Sequence, residues 1–137
     1  MLLVIIKDIK AIKQLSSMGN ETIRVTLLLE NNIESSISVP AGISAGKYEA
    51  KNVSADEAIS QIENIKKEIV ESNWEQKSLD EKLVELSLGA NASLSISDAF
   101  WKAINIVIAN PSFDKFPILL MLLFEGGKHG NPALTIQ

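Results

Sequence analysis

The sequence predicts an α+β fold, a three-stranded antiparallel β-meander followed by a cluster of helices. Two observations carry this. Apolar residues alternate as in strands over the first 40 positions, and after residue 54 they recur at helical spacing behind two capping patterns.

The first strand reads from about Leu2 to Leu15, with Ser16 to Asn20 as its turn. Its alternation is imperfect, because Ile6, Ile9, Ile12 and Leu15 are spaced by three. Ile23, Val25, Leu27 and Leu29 then alternate with Thr22, Arg24, Thr26 and Leu28. After Asn31-Asn32, Ile33, Ser35, Ile37 and Val39 alternate with Glu34, Ser36 and Ser38. Asparagine tolerates the positive φ of a tight turn, so these two runs are expected to pair antiparallel.

Ser54-Ala55-Asp56-Glu57 fits a capping box, and Ile59, Ile62, Ile65 and Ile69 follow as one apolar stripe. Ser78-Leu79-Asp80-Glu81 repeats the pattern ahead of Leu83, Val84 and Leu86. A third helix runs from about Ala92 to Ala109, apolar on most sides as a helix packed between other elements should be, and Pro111 ends it. Pro117 to Phe124 is an unbroken apolar run. Periodicity does not separate strand from helix there, but the length favours a fully buried strand.

The 137 residues suit one domain, and a net charge of -4 with a pI near 5.0 offers no basic stripe for a nucleic-acid backbone. There are no cysteines, which excludes disulfides and thiolate metal sites and favours a reducing compartment. Met1 to Ile6 reads as strand rather than signal peptide, and the longest apolar run, Phe116 to Phe124, is half of what spans a bilayer. No nucleic acid and no membrane partner is expected, and the cytoplasm is the default location.

Three stretches could carry chemistry. Val39-Pro40-Ala41-Gly42-Ile43-Ser44-Ala45-Gly46 is a loop whose backbone could approach a ligand closely, with the Ser44 hydroxyl at hand. Composition alone reads it as an ordinary connection. Glu125-Gly126-Gly127-Lys128-His129-Gly130-Asn131 holds the only histidine, a candidate acid, base or anion contact, set against the plainer reading of an idle exposed side chain. Leu88-Gly89-Ala90-Asn91-Ala92 reads as a packing turn at the entry of the third helix. The pairs Asp56-Glu57 and Asp80-Glu81 are explained as helix N-terminal charges.

Taken in order, these stretches resemble the N-terminal domain of enolases. The family's Leu-Asp-Ser-Arg-Gly-Asn-Pro-Thr turn matches Leu15 to Thr22, and its mobile loop Val-Pro-Ser-Gly-Ala-Ser-Thr-Gly matches Val39 to Gly46, with Glu49-Ala50 after it. Lys-Leu-Gly-Ala-Asn-Ala matches Ser87 to Ala92, and the Gly-Gly-Ser/Lys-His-Ala-Gly-Asn segment matches Gly126 to Asn131 with a sequel ending at Gln137. The resemblance implies a capping domain over residues 1–115 and the start of a barrel domain over 116–137. A whole barrel needs about 250 residues, so the barrel is otherwise expected to be missing and the chain alone inactive.

The parent chemistry is dehydration of 2-phosphoglycerate to phosphoenolpyruvate in glycolysis, with a lysine base and Mg²⁺ stabilising the intermediate, in proteins that are typically dimers or larger. By the same resemblance Gly42, Ile43, Ser44, Ala45 and Gly46 form the mobile lid loop, Ser44 is a metal ligand, and His129 and Gln137 face the substrate. No catalytic residue proper falls in the chain. The sequence also departs from the family, with Ser16, Met18, Ala41, Ala45 and Glu125 at motif positions, Lys51-Asn52-Val53 where an acidic stretch is expected, and a short bridge from Pro111 to Phe116. A stand-alone, non-catalytic binding domain is the alternative.

Overall fold

A computed structural model describes residues 3–40, 46–108, 118–121, 123 and 133. The chain forms β1 (Val4–Leu15), β2 (Glu21–Leu29), β3 (Glu34–Ser38), α1 (Ala55–Ile69), β4 (Asn73–Trp74), α2 (Gln76–Glu85) and α3 (Ala90–Val107). All pairings are antiparallel and the strand order is β3-β2-β1-β4. The α+β meander with following helices is therefore present, with a fourth strand in addition.

Both hairpins close as their sequences require. Ser16 Oγ accepts from the Met18 and Asn20 amides, Ser16 N donates to the Asn20 carbonyl, and Gly19 takes φ +77°. Asn32 takes φ 61° between β2 and β3, a left-handed turn conformation that asparagine tolerates. The three-residue spacing in β1 has a local cause. A bulge between Ile6 and Asp8 shifts the register, so Ile6 and Ile9 both face the core although three residues apart. Beyond it strict alternation resumes, and Ile12 turns outward.

The helices cover one face of the sheet. α1 lies against β1, α3 against β2 and β3, and α2 against α3. Ile9, Val25 and Leu27 from the sheet meet Ile62 and Ile69 from α1, and Ile96 and Phe100 from α3, all fully buried. Ser35 occupies an inward position on β3 without penalty, because its hydroxyl donates to the Ala99 carbonyl.

Four readings are corrected by the structure. β4 pairs only two residues with β1, Val4 with Trp74 and Ile5 with Asn73, too few to leave a periodic signal. α2 starts at Gln76 with Glu75 as its cap, so Ser78 is the third helical residue and its hydroxyl accepts from the Glu75 amide. α3 is buried on one face only; Leu94, Trp101 and Ile106 stand about half exposed on the rest. The described part of the apolar run, Ile118 to Met121 and Leu123, is neither strand nor buried: these side chains are 74–97% exposed.

Ion pairs tie helices to sheet at the surface. The Lys66 ammonium, in the last turn of α1, lies 2.6 Å from Asp8, holding that carboxyl below its ordinary range and raising its own proton affinity. Because Asp8 is more acidic folded than unfolded, its contribution is present at neutral pH and fades as the pH falls through the carboxylate range. Asp8→Asn should therefore lower stability by about 0.5–1 kcal/mol at pH 7, with the difference from wild type closing towards pH 3, read from urea unfolding at each pH. A second expectation concerns the exposed run. Removing residues from Phe116 onward should leave the far-ultraviolet dichroism and cooperative melt intact and raise solubility, because among the described residues the core and the side chains packed on it end at Val107 while Ile118 to Met121 and Leu123 are exposed.

Candidate functional site

Of the residues the resemblance implicates, Gly46 alone is described. It is exposed, and its carbonyl accepts from the Glu49 amide at 3.3 Å in a short turn that places the Lys47 ammonium 5.4 Å from the Tyr48 ring centre. Gly42, Ile43, Ser44, Ala45, His129 and Gln137 lie outside the described residues. The framework that holds the connection between β3 and α1 is described at both ends.

At its start, the Thr22 hydroxyl on β2 donates to the Val39 carbonyl at 2.6 Å. At its end, Asn91 in the first turn of α3 grips Val53 through both backbone groups: Oδ1 accepts from the Val53 amide at 3.1 Å, and Nδ2 donates to the Val53 carbonyl at 3.0 Å. The Ala90 amide donates to the Lys51 carbonyl at 2.9 Å. The Gly89 amide donates to Gln61 Oε1 at 2.8 Å, joining α1 to the start of α3. Gly89 caps α3 without a side chain of its own, and a Cβ there would stand 2.5 Å from Val53 Cγ2.

Ser54 then caps α1, its hydroxyl accepting from the Glu57 amide at 3.2 Å; this is the forward half of the expected box. Asp56 and Glu57 lie in the first turn of α1, as read, and Asp56 pairs with Lys13 of β1 at 2.9 Å. Asp80 does not sit at a helix start. It lies within α2 and accepts from the Ser97 hydroxyl at 2.6 Å and from Gln76 Nε2 at 3.0 Å, which locks α2 onto α3. The expected turn at Leu88 to Ala92 does pack at the start of α3. Its second task, clamping Val53, and the matching role of Thr22 were missed, although glycine and asparagine at a helix start were the available signal.

Among the described residues no group of three or more His, Asp or Glu is placed to hold a metal ion, and no helix is long and apolar enough to cross a membrane.

What these residues define is a β-meander covered on one face by α1 and α3, with α2 packed on α3 and the β3–α1 connection pinned at both stems. The family model described as "Enolase, N-terminal domain" matches residues 6–114, and the chain belongs to that family. It is 30% identical to the enolase of Campylobacter lari over 162 aligned residues, taking in 98% of this chain and 39% of that protein. It is 29% identical to the enolase of Desulfotalea psychrophila, over 97% of this chain and 38% of that protein. The chain spans less than two fifths of the length of these relatives, and both aligned stretches exceed its 137 residues, so gaps open within the match.

Gly89→Ala tests the close approach. The Val53 backbone is held by Asn91 and cannot retreat freely, so the added methyl should destabilise the chain by about 1–3 kcal/mol in urea unfolding. The same change at Gly19, with nothing within 4 Å of its added Cβ, carries only a backbone penalty.

Proposed function

We propose that the chain is the N-terminal capping part of an enolase-like protein, whose whole form dehydrates 2-phosphoglycerate to phosphoenolpyruvate in glycolysis, in the cytoplasm. The observation that carries this is the family match across residues 6–114, on a fold whose β3–α1 connection is pinned at both stems. In this reading that connection carries Ser44 as a ligand of Mg²⁺ in the complete enzyme, and His129 and Gln137 face the substrate. In this reading the metal carboxylates and the lysine base belong to a barrel domain; among the described residues no group of three or more His, Asp or Glu is placed to hold a metal ion. This chain's own share is to hold the connection in place, and in the closed state to exclude water from the substrate. Capping domain 1–115 and barrel start 116–137 are the domain limits this reading assigns. A homodimer of the whole protein follows from the same family relation.

The second reading is a stand-alone domain kept for binding a partner without lyase activity. One set of assays separates the two. Purified chain with excess Mg²⁺ and 2-phosphoglycerate should give no phosphoenolpyruvate absorbance above blank. A chimera with residues 1–137 in place of the matching part of the Campylobacter lari enolase should turn over. In that chimera Ser44→Ala should lower kcat and shift the Mg²⁺ dependence with folding intact, since surface substitutions change stability by about 0.5 kcal/mol or less. His129→Ala should lower activity about tenfold to a hundredfold by removing a donor to an anionic ligand. A folded but inactive chimera would overturn the capping reading and favour the stand-alone one; turnover by the chain alone would overturn the assignment of the chemistry to the barrel.

A further inference from the structure

Four polar residues are buried among the described residues: Thr22, Ser35, Asn91 and Ser95. Two of them serve the core itself, Ser35 bonding the Ala99 carbonyl and Ser95 the Asn91 carbonyl one turn back. The other two reach across the fold to one connection. Thr22 bonds Val39, 17 residues away, and Asn91 bonds Val53, 38 residues away. A buried side chain that engages both groups of one residue acts as a strand partner would, satisfying an N–H and a C=O that otherwise lack one.

We propose that Asn91 and Thr22 are positioning residues that fix the two stems, Val39 and Val53, of the β3–α1 connection. The inference rests on the capping reading for its catalytic consequence and goes beyond it in naming two residues outside the connection that set its frame. Neither contacts substrate in this assignment. Their effect is entropic. With both stems held, Val39 and Val53 keep their places on the fold, so less order at these two positions has to be gained in a bound state. Asn91 is suited to this because an amide carries a donor and an acceptor side by side, and the first turn of α3 holds it rigidly. Gly89 makes the approach feasible by leaving the space that Val53 fills.

The purified chain tests the clamp without reference to activity. Trypsin cleavage after Lys51 requires the segment through Val53 to open, so Asn91→Ala should speed that cut about tenfold, while hydrogen exchange shows the α3 amides still protected. Ser95→Ala, a loss of a buried hydroxyl from the same helix, should leave the Lys51 cut at the rate global unfolding dictates. Equal acceleration in both variants would overturn the proposal. If Asn91→Ala fails to fold, Asn91→Asp, which keeps the acceptor for the Val53 amide, and Thr22→Val at the other stem carry the test. Thr22→Val should raise exchange around Val39, and Thr22→Ser should restore protection; no change in either would sink the claim.

In the active chimera, Thr22→Val and Asn91→Ala should lower kcat/KM about tenfold, with Thr22→Ser restoring it and Ser95→Ala neutral. Unchanged kinetics in an active chimera would overturn the positioning role. A wild-type chimera that is inactive while the protease result holds would remove the lyase reading and leave the clamp standing.

Discussion

The contact on which the rest of the arrangement depends is the meeting of the α3 N-terminus with Val53. A single Cβ at Gly89 would fall 2.5 Å from a Val53 methyl, so helix start and chain segment are as close as the backbone allows. That closeness lets Asn91 reach both backbone groups of Val53 and lets the Ala90 amide reach Lys51. Ser54 follows directly and caps α1, so the same contact sets where α1 begins. α1 and α3 in turn cover the inner face of the sheet. A local steric fact at one glycine thus sets the end of the connection at Val53 and the start of the first helix.

The energetic weight lies in that core. Full burial of residues such as Ile62, Ile69 and Phe100 is worth about 1.5–3 kcal/mol apiece. The pairs that link the elements, Lys13 with Asp56 and Lys82 with Glu68, lie at the surface, where solvent screens them, and add little stability. Their use is directional: Lys13 of β1 meets Asp56 in the first turn of α1 and Asp8 of β1 meets Lys66 in its last, so the helix is registered on β1 at both ends. The buried hydroxyls and amides act likewise. Those of Thr22, Ser35, Asn91 and Ser95 are satisfied, so they add specificity of placement where an apolar residue would add only area.

Which parts of this were legible in the sequence follows from the range of each signal. The β2–β3 pair was legible because alternation and a turn asparagine are local, and so was the isoleucine stripe of α1. β1 looked irregular because a bulge changes phase within one strand, and no single period describes both halves. The start of α2 was misplaced by three residues, since a serine three positions into a helix can bond the same terminus as a serine at the cap. β4 was invisible, being held by two pairings and the Trp74 indole bond to the Ile69 carbonyl rather than by its own pattern. For the candidate site, motif order pointed to the family, but no local pattern encodes a side-chain bond across 38 residues, so the part played by Asn91 emerged only from the fold.

The apolar surface left over bears on which reading the molecule suits. Single exposed apolar side chains are normal on any globular surface. Here Leu94, Trp101 and Ile108 recur every seven residues along α3 and its C-cap, a spacing that places them along one side of the helix, and all three stand about half exposed. Ile118 to Met121 and Leu123 add further exposed apolar side chains. A domain that functions alone has to keep both surfaces in water, against the general tendency of such patches to be covered. A domain that caps a larger body has a use for them, because a second layer can cover the outer side of α3. On the capping reading proposed above such a layer would take up the α3 stripe, whereas the stand-alone reading needs a separate partner for it.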